Sequence, residues 1–125
     1  MASGTTTITI QAITTVDGTS RTAPAVTATI THAAEGLCMG NLVTSDTAAV
    51  IPQGGVVPSY AIFQNLSAVE TVYIEILNDA AVLTRIDPGM IVALDVSQVA
   101  TPATNLKAKA FTGKTPVLSY FIVPA

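Results

Sequence analysis

The side chains best suited to chemistry are scarce in this sequence. It contains one histidine, His32, and one cysteine, Cys38. A structural metal site usually gathers several His, Cys or carboxylate ligands, so these two residues do not make one within a single subunit. An oligomer axis that collects one His32 per subunit is the remaining route to a metal, against a satisfied or surface histidine. We predict no metal and no cofactor.

Carboxylates and glycines give no catalytic pattern either. Asp79 could face Asp87 across neighbouring strands as an acid pair. Glu70 could face Glu75 in the same way, although carboxylates near turns usually cap the backbone or stay solvated. Gly54-Gly55 lacks the lysine and helix of a phosphate loop, and no serine lies in a nucleophile motif. The sequence therefore predicts a protein that is not an enzyme.

Cys38 and Asn65 have ordinary structural explanations. A lone cysteine forms no internal disulfide, which fits assembly in a reducing compartment, and Cys38 resembles a small buried apolar side chain. Asn65-Leu66-Ser67 matches a glycosylation sequon, but the motif is short and no export signal accompanies it. For both residues we prefer a structural role.

Aromatic residues and one arginine are the candidates for binding. Arg85 lies inside a strand-like run; it could pair with Asp87 or another carboxylate, and arginine is enriched at protein interfaces. The tyrosines and phenylalanines suit a core or a subunit contact better than a sugar platform, since the chain has no tryptophan. The candidate interface residues are Tyr60, Phe63, Tyr73, Arg85 and Phe111.

Composition points to a chain that is covered by neighbours. Of its 125 residues only 10% are charged and 50% are hydrophobic, whereas about 25% are charged in an ordinary soluble domain. Prolines, glycines and amides interrupt the longest uncharged run, so we expect no membrane span. A net charge of −3 without a basic cluster argues against nucleic acid as a partner. We therefore expect a single domain, 1–125, that forms a homo-oligomer or docks on a larger body.

Short alternating segments separated by turn residues predict the fold. Residues 5–12 and 26–32 alternate threonine with apolar residues, which gives each strand one wet and one dry face, and Asp17-Gly18 suits a tight hairpin turn. We expect residues 1–7 to form an extended amino-terminal arm. Residues 106–111 carry two lysines that suit a sheet edge, and residues 117–123 are apolar enough for a central strand buried on both faces.

The segment from residue 60 to 94 contains the strongest turn signal. Pro88 and Gly89 fit the two central positions of a type II turn, and the apolar runs on either side, 81–86 and 90–94, read as two strands of one hairpin. No segment has sustained helical spacing. The whole chain therefore predicts an all-β, antiparallel β-sandwich, jelly-roll-like, with about eight short strands and little or no helix.

The second half also resembles a known class of proteins. Residues 60–66 and 72–74, the Arg85-Ile86-Asp87-Pro88-Gly89 turn, residues 106–110 and residues 118–122 are similar in order to small β-sandwich virion proteins of tailed bacteriophages. The resemblance implies a capsid decoration, or cement, protein. It also implies that the protein is a homotrimer, which assembles in the host cytoplasm. On the outer capsid surface it would bind the major capsid protein and copies of itself.

Two other functions stay open at this point. The first is a neck, tail or receptor-binding subunit of the same particle, built on the same sandwich. The second is a hydrolase of cell-wall sugar or peptide, which requires a convergent acid pair or metal site in a pocket.

Overall fold

The computed structural model describes residues 4–32, 38–52, 58–68, 72–96 and 106–124. These residues form no helix, as the alternating pattern predicts, and twelve strands where about eight were expected. None of them forms a helix able to cross a membrane. The strands are β1 (Gly4–Ile10), β2 (Ile13–Val16), β3 (Thr19–Thr22), β4 (Val26–His32), β5 (Cys38–Val43), β6 (Ala49–Val50), β7 (Pro58–Asn65), β8 (Ile74–Asn78), β9 (Ala81–Ile86), β10 (Ile91–Asp95), β11 (Leu106–Ala110) and β12 (Val117–Pro124).

The first four strands form one long two-stranded ribbon. β1 pairs antiparallel with β4, and β2 pairs with β3 beyond a short irregular stretch that a hydrogen bond from Ala23 N to Ala12 O spans, 2.8 Å long. At the tip, Asp17 and Gly18 have φ of 50° and 77°, the two positive values that a type I′ hairpin turn needs. The predicted tight turn at Asp17-Gly18 is therefore confirmed.

The remaining eight strands build two antiparallel four-stranded sheets. Sheet I has the order β10-β7-β12-β5, and sheet II has the order β6-β11-β8-β9. Strands that follow each other in sequence lie in opposite sheets, except for the β8–β9 hairpin, which turns at Asp79 with φ of 55°. This is the strand order of a double-sheet jelly roll. The predicted all-β sandwich is confirmed.

One hydrophobic core lies between the two sheets. Sheet I contributes Phe63 and its neighbours on β7 and β12, and sheet II contributes aliphatic residues from β8, β9 and β11. Burial of these branched side chains on the inner faces stabilises the sandwich, at roughly 25 cal/mol per Å² of apolar surface removed from water. The buried cluster comprises Ile51, Ala61, Phe63, Ile74, Ile76, Ile86, Val96, Leu106, Ala108, Leu118 and Ile122.

The Pro88-Gly89 turn forms, but the predicted hairpin around it is wrong. Gly89 has φ of 76°, and Met90 N donates to Asp87 O at 3.0 Å, as a type II turn requires. However, β9 pairs with β8 in sheet II, while β10 pairs with β7 in sheet I. Turns of type I and II twist against the strands that flank them and splay these apart. The turn therefore carries the chain from one sheet to the other.

The last strand is central, as predicted, but only one of its faces is completely covered. β12 lies between β7 and β5, and its inner side chains Leu118 and Ile122 are buried. Ser119 and Phe121 on the opposite face are half-buried. The expectation that both faces are buried is thus correct for one face alone, since nothing in the described chain covers the β5 side of the other.

Gly40 does not interrupt β5, because its lack of a side chain makes room for an aromatic ring. Gly40 pairs with Tyr120 on β12, and a Cβ atom on Gly40 would lie 2.9 Å from the Tyr120 hydroxyl oxygen and 3.2 Å from the ring carbon that bears it. The tyrosine ring therefore lies across the glycine and fills the gap that it leaves in the inner face.

The ribbon covers part of the outer face of sheet I. Ile8 is 7% exposed and borders a small cavity with Ile62, Ile91 and Ala93 of sheet I. The dry face predicted for β1 and β4 ends there, however, since the paired Ile10 and Val26 are 55% and 70% exposed. Ile10 still lines the cavity beside sheet I but remains more than half exposed, so the alternation corresponds to full burial at Ile8 alone.

The segment predicted as an amino-terminal arm, residues 1–7, lies only partly within the described residues. Residues 1–3 lie outside the described residues. Residues 4–7 are the first half of β1 and pair with residues 29–32 of β4, so they are a strand of the ribbon.

Candidate docking face

Three of the predicted interface residues meet on the outer face of sheet II. The Arg85 guanidinium carbon lies 4.1 Å from the centre of the Tyr73 ring, in a cation–π arrangement. The Tyr73 ring makes an edge contact with Phe111, with ring centres 4.0 Å apart and planes at 63°. Arg85 Nε donates to Asp87 Oδ1 at 3.1 Å. This group, Tyr73, Arg85, Asp87 and Phe111, is called the arginine cluster below.

The arginine cluster is exposed although it is ordered by these contacts. The side chains of Arg85 and Asp87 are 59% and 60% exposed, and Phe111 is 40% exposed. An exposed ion pair of this kind contributes about 0–1 kcal/mol to stability. Its main consequence is geometric, because the ring contact and the ion pair together restrict the orientation of the guanidinium.

Charges of alternating sign extend from the cluster across sheet II. Register places Glu75 of β8 between Arg85 of β9 and Lys109 of β11, and Lys107 lies on the same face as Lys109. Opposite charges on directly paired strands attract each other. Three of the five lysines and arginines of this acidic chain thus lie on one sheet face. Two carboxylates, Glu75 and Asp87, lie beside them on the same face.

A buried asparagine binds the two backbone segments that carry Tyr73 and Arg85. Asn65 at the end of β7 is fully buried, and its Nδ2 donates to Val72 O at 2.8 Å and to Ile86 O at 3.1 Å. Its Oδ1 accepts from Ser67 N at 2.9 Å. Val72 and Ile86 directly adjoin Tyr73 and Arg85 in sequence. Asn65 therefore fixes the two backbone segments that present the stacked pair, and a sequon role is excluded because its amide is buried and fully engaged.

The other two predicted interface residues lie elsewhere. Phe63 is fully buried in the core between the sheets, so it is a core residue and offers no surface to a neighbour. Tyr60 is half-buried on β7 in sheet I, on the opposite side of the sandwich from the arginine cluster.

The residues considered for catalysis or metal binding do not converge in the described part of the chain. Asp79 precedes β9 and Asp87 follows it, so all of β9 separates them. Cys38 is half-buried and packs against the core. Glu70, Gly54-Gly55 and the side chain of His32 lie outside the described residues. Among the residues that are described, no three His, Cys, Asp or Glu side chains are grouped closely enough to hold a metal ion.

The sheet edge predicted at the lysines of β11 is wrong. Lys107 and Lys109 do not mark a sheet edge, because β11 pairs with both β6 and β8. Their alternation with buried Leu106, Ala108 and Ala110 still places them correctly on the outer face. What the sequence pattern lacked was the register that aligns Lys109 with Glu75 and Arg85.

The fold and this face define an all-β jelly-roll sandwich with a protruding ribbon and an ordered, partly basic surface. Comparisons with known protein families, with characterised proteins and with solved structures find no match.

Proposed function

We propose that this chain is a non-enzymatic structural subunit of a virion, a capsid decoration protein that docks on the outer capsid surface through the outer face of sheet II. The virion role rests on the resemblance of the second half of the sequence, and the arginine cluster is the observation that carries the choice of docking face. An arginine that is stacked on tyrosine and braced by a carboxylate has lost side-chain freedom before binding, so less entropy is lost on contact. Tyrosine and arginine dominate the binding energy of many protein interfaces.

The charge of this face indicates the chemistry of the partner. Lys107, Lys109 and Arg85 outnumber the carboxylates beside them, and a guanidinium fork matches a carboxylate with two parallel hydrogen bonds. We therefore expect the bound surface of the major capsid protein to present aspartate or glutamate. The subunit would stabilise the shell by adding buried contact where capsid subunits meet.

Co-sedimentation with capsid shells that lack this chain tests the docking. We expect Arg85→Ala to weaken binding at least tenfold, equivalent to about 1.4 kcal/mol, and Arg85→Lys to weaken it less, because lysine keeps the charge but not the planar fork. Asp46→Ala removes an exposed charge from the loop after β5 and serves as the control, with binding unchanged. Equal binding by wild-type protein and Arg85→Ala would refute the role of the cluster.

Electron cryomicroscopy of the parent particle tests the location. Density for this jelly roll on the outer shell is the expected result. Density only at the neck, tail or baseplate would instead favour the alternative of a neck, tail or receptor-binding subunit.

A further inference from the structure

The distal half of the ribbon is a large uncovered surface of the described chain. Every residue from 9 to 29 is exposed. This stretch, which includes β2, β3 and the turn between them, is called the arm below and is distinct from the amino-terminal arm predicted for residues 1–7. Four branched apolar side chains on it are more than half exposed: Ile10 55%, Ile13 65%, Val16 63% and Val26 70%. A two-stranded hairpin by itself is marginally stable in water at best. The arm is therefore a segment whose surface suits contact with a neighbour.

We propose that the arm of one copy of this chain docks on the outer face of sheet I of a second copy. The receiving surface is the half of that face formed by β12 and β5. There Met39 and Val43 are 60% and 66% exposed, and Phe121 beside Met39 is half-buried. The inference concerns the isolated chain, so it goes beyond the proposed capsid role and does not depend on it.

The chain already contains one example of this contact. The base of its own ribbon lies on the other half of the same face, where Ile8 borders Ile62, Ile91 and Ala93. Register places Ala93, Ile62, Phe121 and Met39 in one row across all four strands of sheet I. The partly covered half of the face, in which Ile91 itself remains 66% exposed, thus continues directly into the uncovered half along one apolar row.

Both surfaces also carry almost no charge. Between residues 4 and 31 the ribbon carries only Asp17 and Arg21 as charged residues, and it holds eleven of the nineteen threonines of the chain. The receiving half of sheet I presents apolar residues with Asn41 and Ser119 and no charge. A charged partner gains little from either surface, whereas two neutral, partly apolar surfaces exclude water together.

The contact joins two different surfaces, so each copy both gives an arm and receives one. A heterologous contact of this kind closes into a ring when the rotation between copies permits. A closed trimer would agree with the homotrimer that the resemblance to virion proteins implies.

The mass of the purified full chain, measured by light scattering and native mass spectrometry, tests the inference. We expect an oligomer at micromolar concentration. The arm variant I13D/V16D and the face variant M39E/V43E should each raise the dissociation constant at least tenfold. The matched control is Val82→Asp, which places a carboxylate at a 55% exposed position on β9 of sheet II; its mass should equal that of the wild type. Circular dichroism confirms that each variant is folded.

Mixing the two variants distinguishes this contact from other arrangements. The arm variant keeps an intact face, and the face variant keeps an intact arm, so together they should form a one-to-one pair that neither forms alone. A monomeric wild-type chain would overturn the inference. Normal assembly of the face variant would also overturn it, since that result indicates arm-to-arm contact. Loss of assembly here with retained capsid binding leaves the docking proposal standing.

Discussion

Replacing Asn65 with alanine should destabilise this protein more than the size of the change suggests. The substitution removes three hydrogen bonds, two donated by Nδ2 to Val72 O and Ile86 O and one accepted by Oδ1 from Ser67 N. Asn65 is fully buried, so water does not readily replace them. An unsatisfied buried polar group costs about 1–3 kcal/mol. Allowing for partial relaxation, we expect Asn65→Ala to lower the free energy of unfolding by about 3–5 kcal/mol.

That loss is a large share of the total stability of a domain, about 5–15 kcal/mol. Urea unfolding followed by circular dichroism measures it directly, which suits a chain without tryptophan. The midpoint should fall while the slope with urea concentration stays constant, because the surface exposed on unfolding hardly changes. Asn41→Ala makes the same chemical change at an exposed position of β5 and should alter stability by less than about 0.5 kcal/mol.

Asn65→Asp separates the hydrogen bonds from the packing. Aspartate keeps the volume and the acceptor for Ser67 N, but its carboxylate would face the carbonyl oxygens of Val72 and Ile86. We expect it to destabilise at least as much as alanine at neutral pH. If Asn65→Asp were tolerated, or if Asn65→Ala lost less than about 1 kcal/mol, the amide would not be holding these segments.

Two further substitutions test other buried contacts. Thr44 is fully buried, and its Oγ1 and its N–H both donate to Pro116 O, at 2.7 and 3.0 Å; Thr44→Val removes the first bond alone and should lower the free energy of unfolding by about 1 kcal/mol in the same urea assay. Gly40→Ala forces a methyl group against the Tyr120 ring and should lower it by about 1–3 kcal/mol. Combining Gly40→Ala with Tyr120→Phe removes the closest contact, at 2.9 Å, so the loss should be smaller than the sum of the single variants. Additive losses would show that the ring does not lie over the glycine.

Local sequence chemistry predicted the elements of this fold better than their partners. Threonine alternation, the Asp17-Gly18 turn and the Pro88-Gly89 turn all occur where the sequence places them. The hairpin assigned to residues 81–94 failed because a strand–turn–strand pattern does not say whether both strands join one sheet. The turn type held the missing information, since a type II turn does not favour the twist of a two-residue hairpin.

The arginine cluster was predictable as a set of residues but not as a geometry. The chemical types of Arg85 and Tyr73 predict an interface, and that of Phe63 predicts one equally, yet Phe63 is buried in the core. Alternation along β7 places Phe63 with Ala61 and Asn65 on one face, but only the second sheet decides that this face is the inner one. Sequence types thus select aromatic residues without distinguishing a packed ring from an exposed one.

The two outer faces of the sandwich differ in a way that predicts different salt dependences for the two proposed contacts. Sheet II presents lysines, carboxylates and a stacked arginine, whereas the β12–β5 half of sheet I presents methionine, valine, phenylalanine and small amide or hydroxyl groups. Contacts with a charged partner weaken as salt rises, while apolar contacts persist or strengthen. Capsid docking should therefore weaken between low and high sodium chloride concentration under conditions in which self-association does not. A common salt dependence for both would mean that one face serves both contacts.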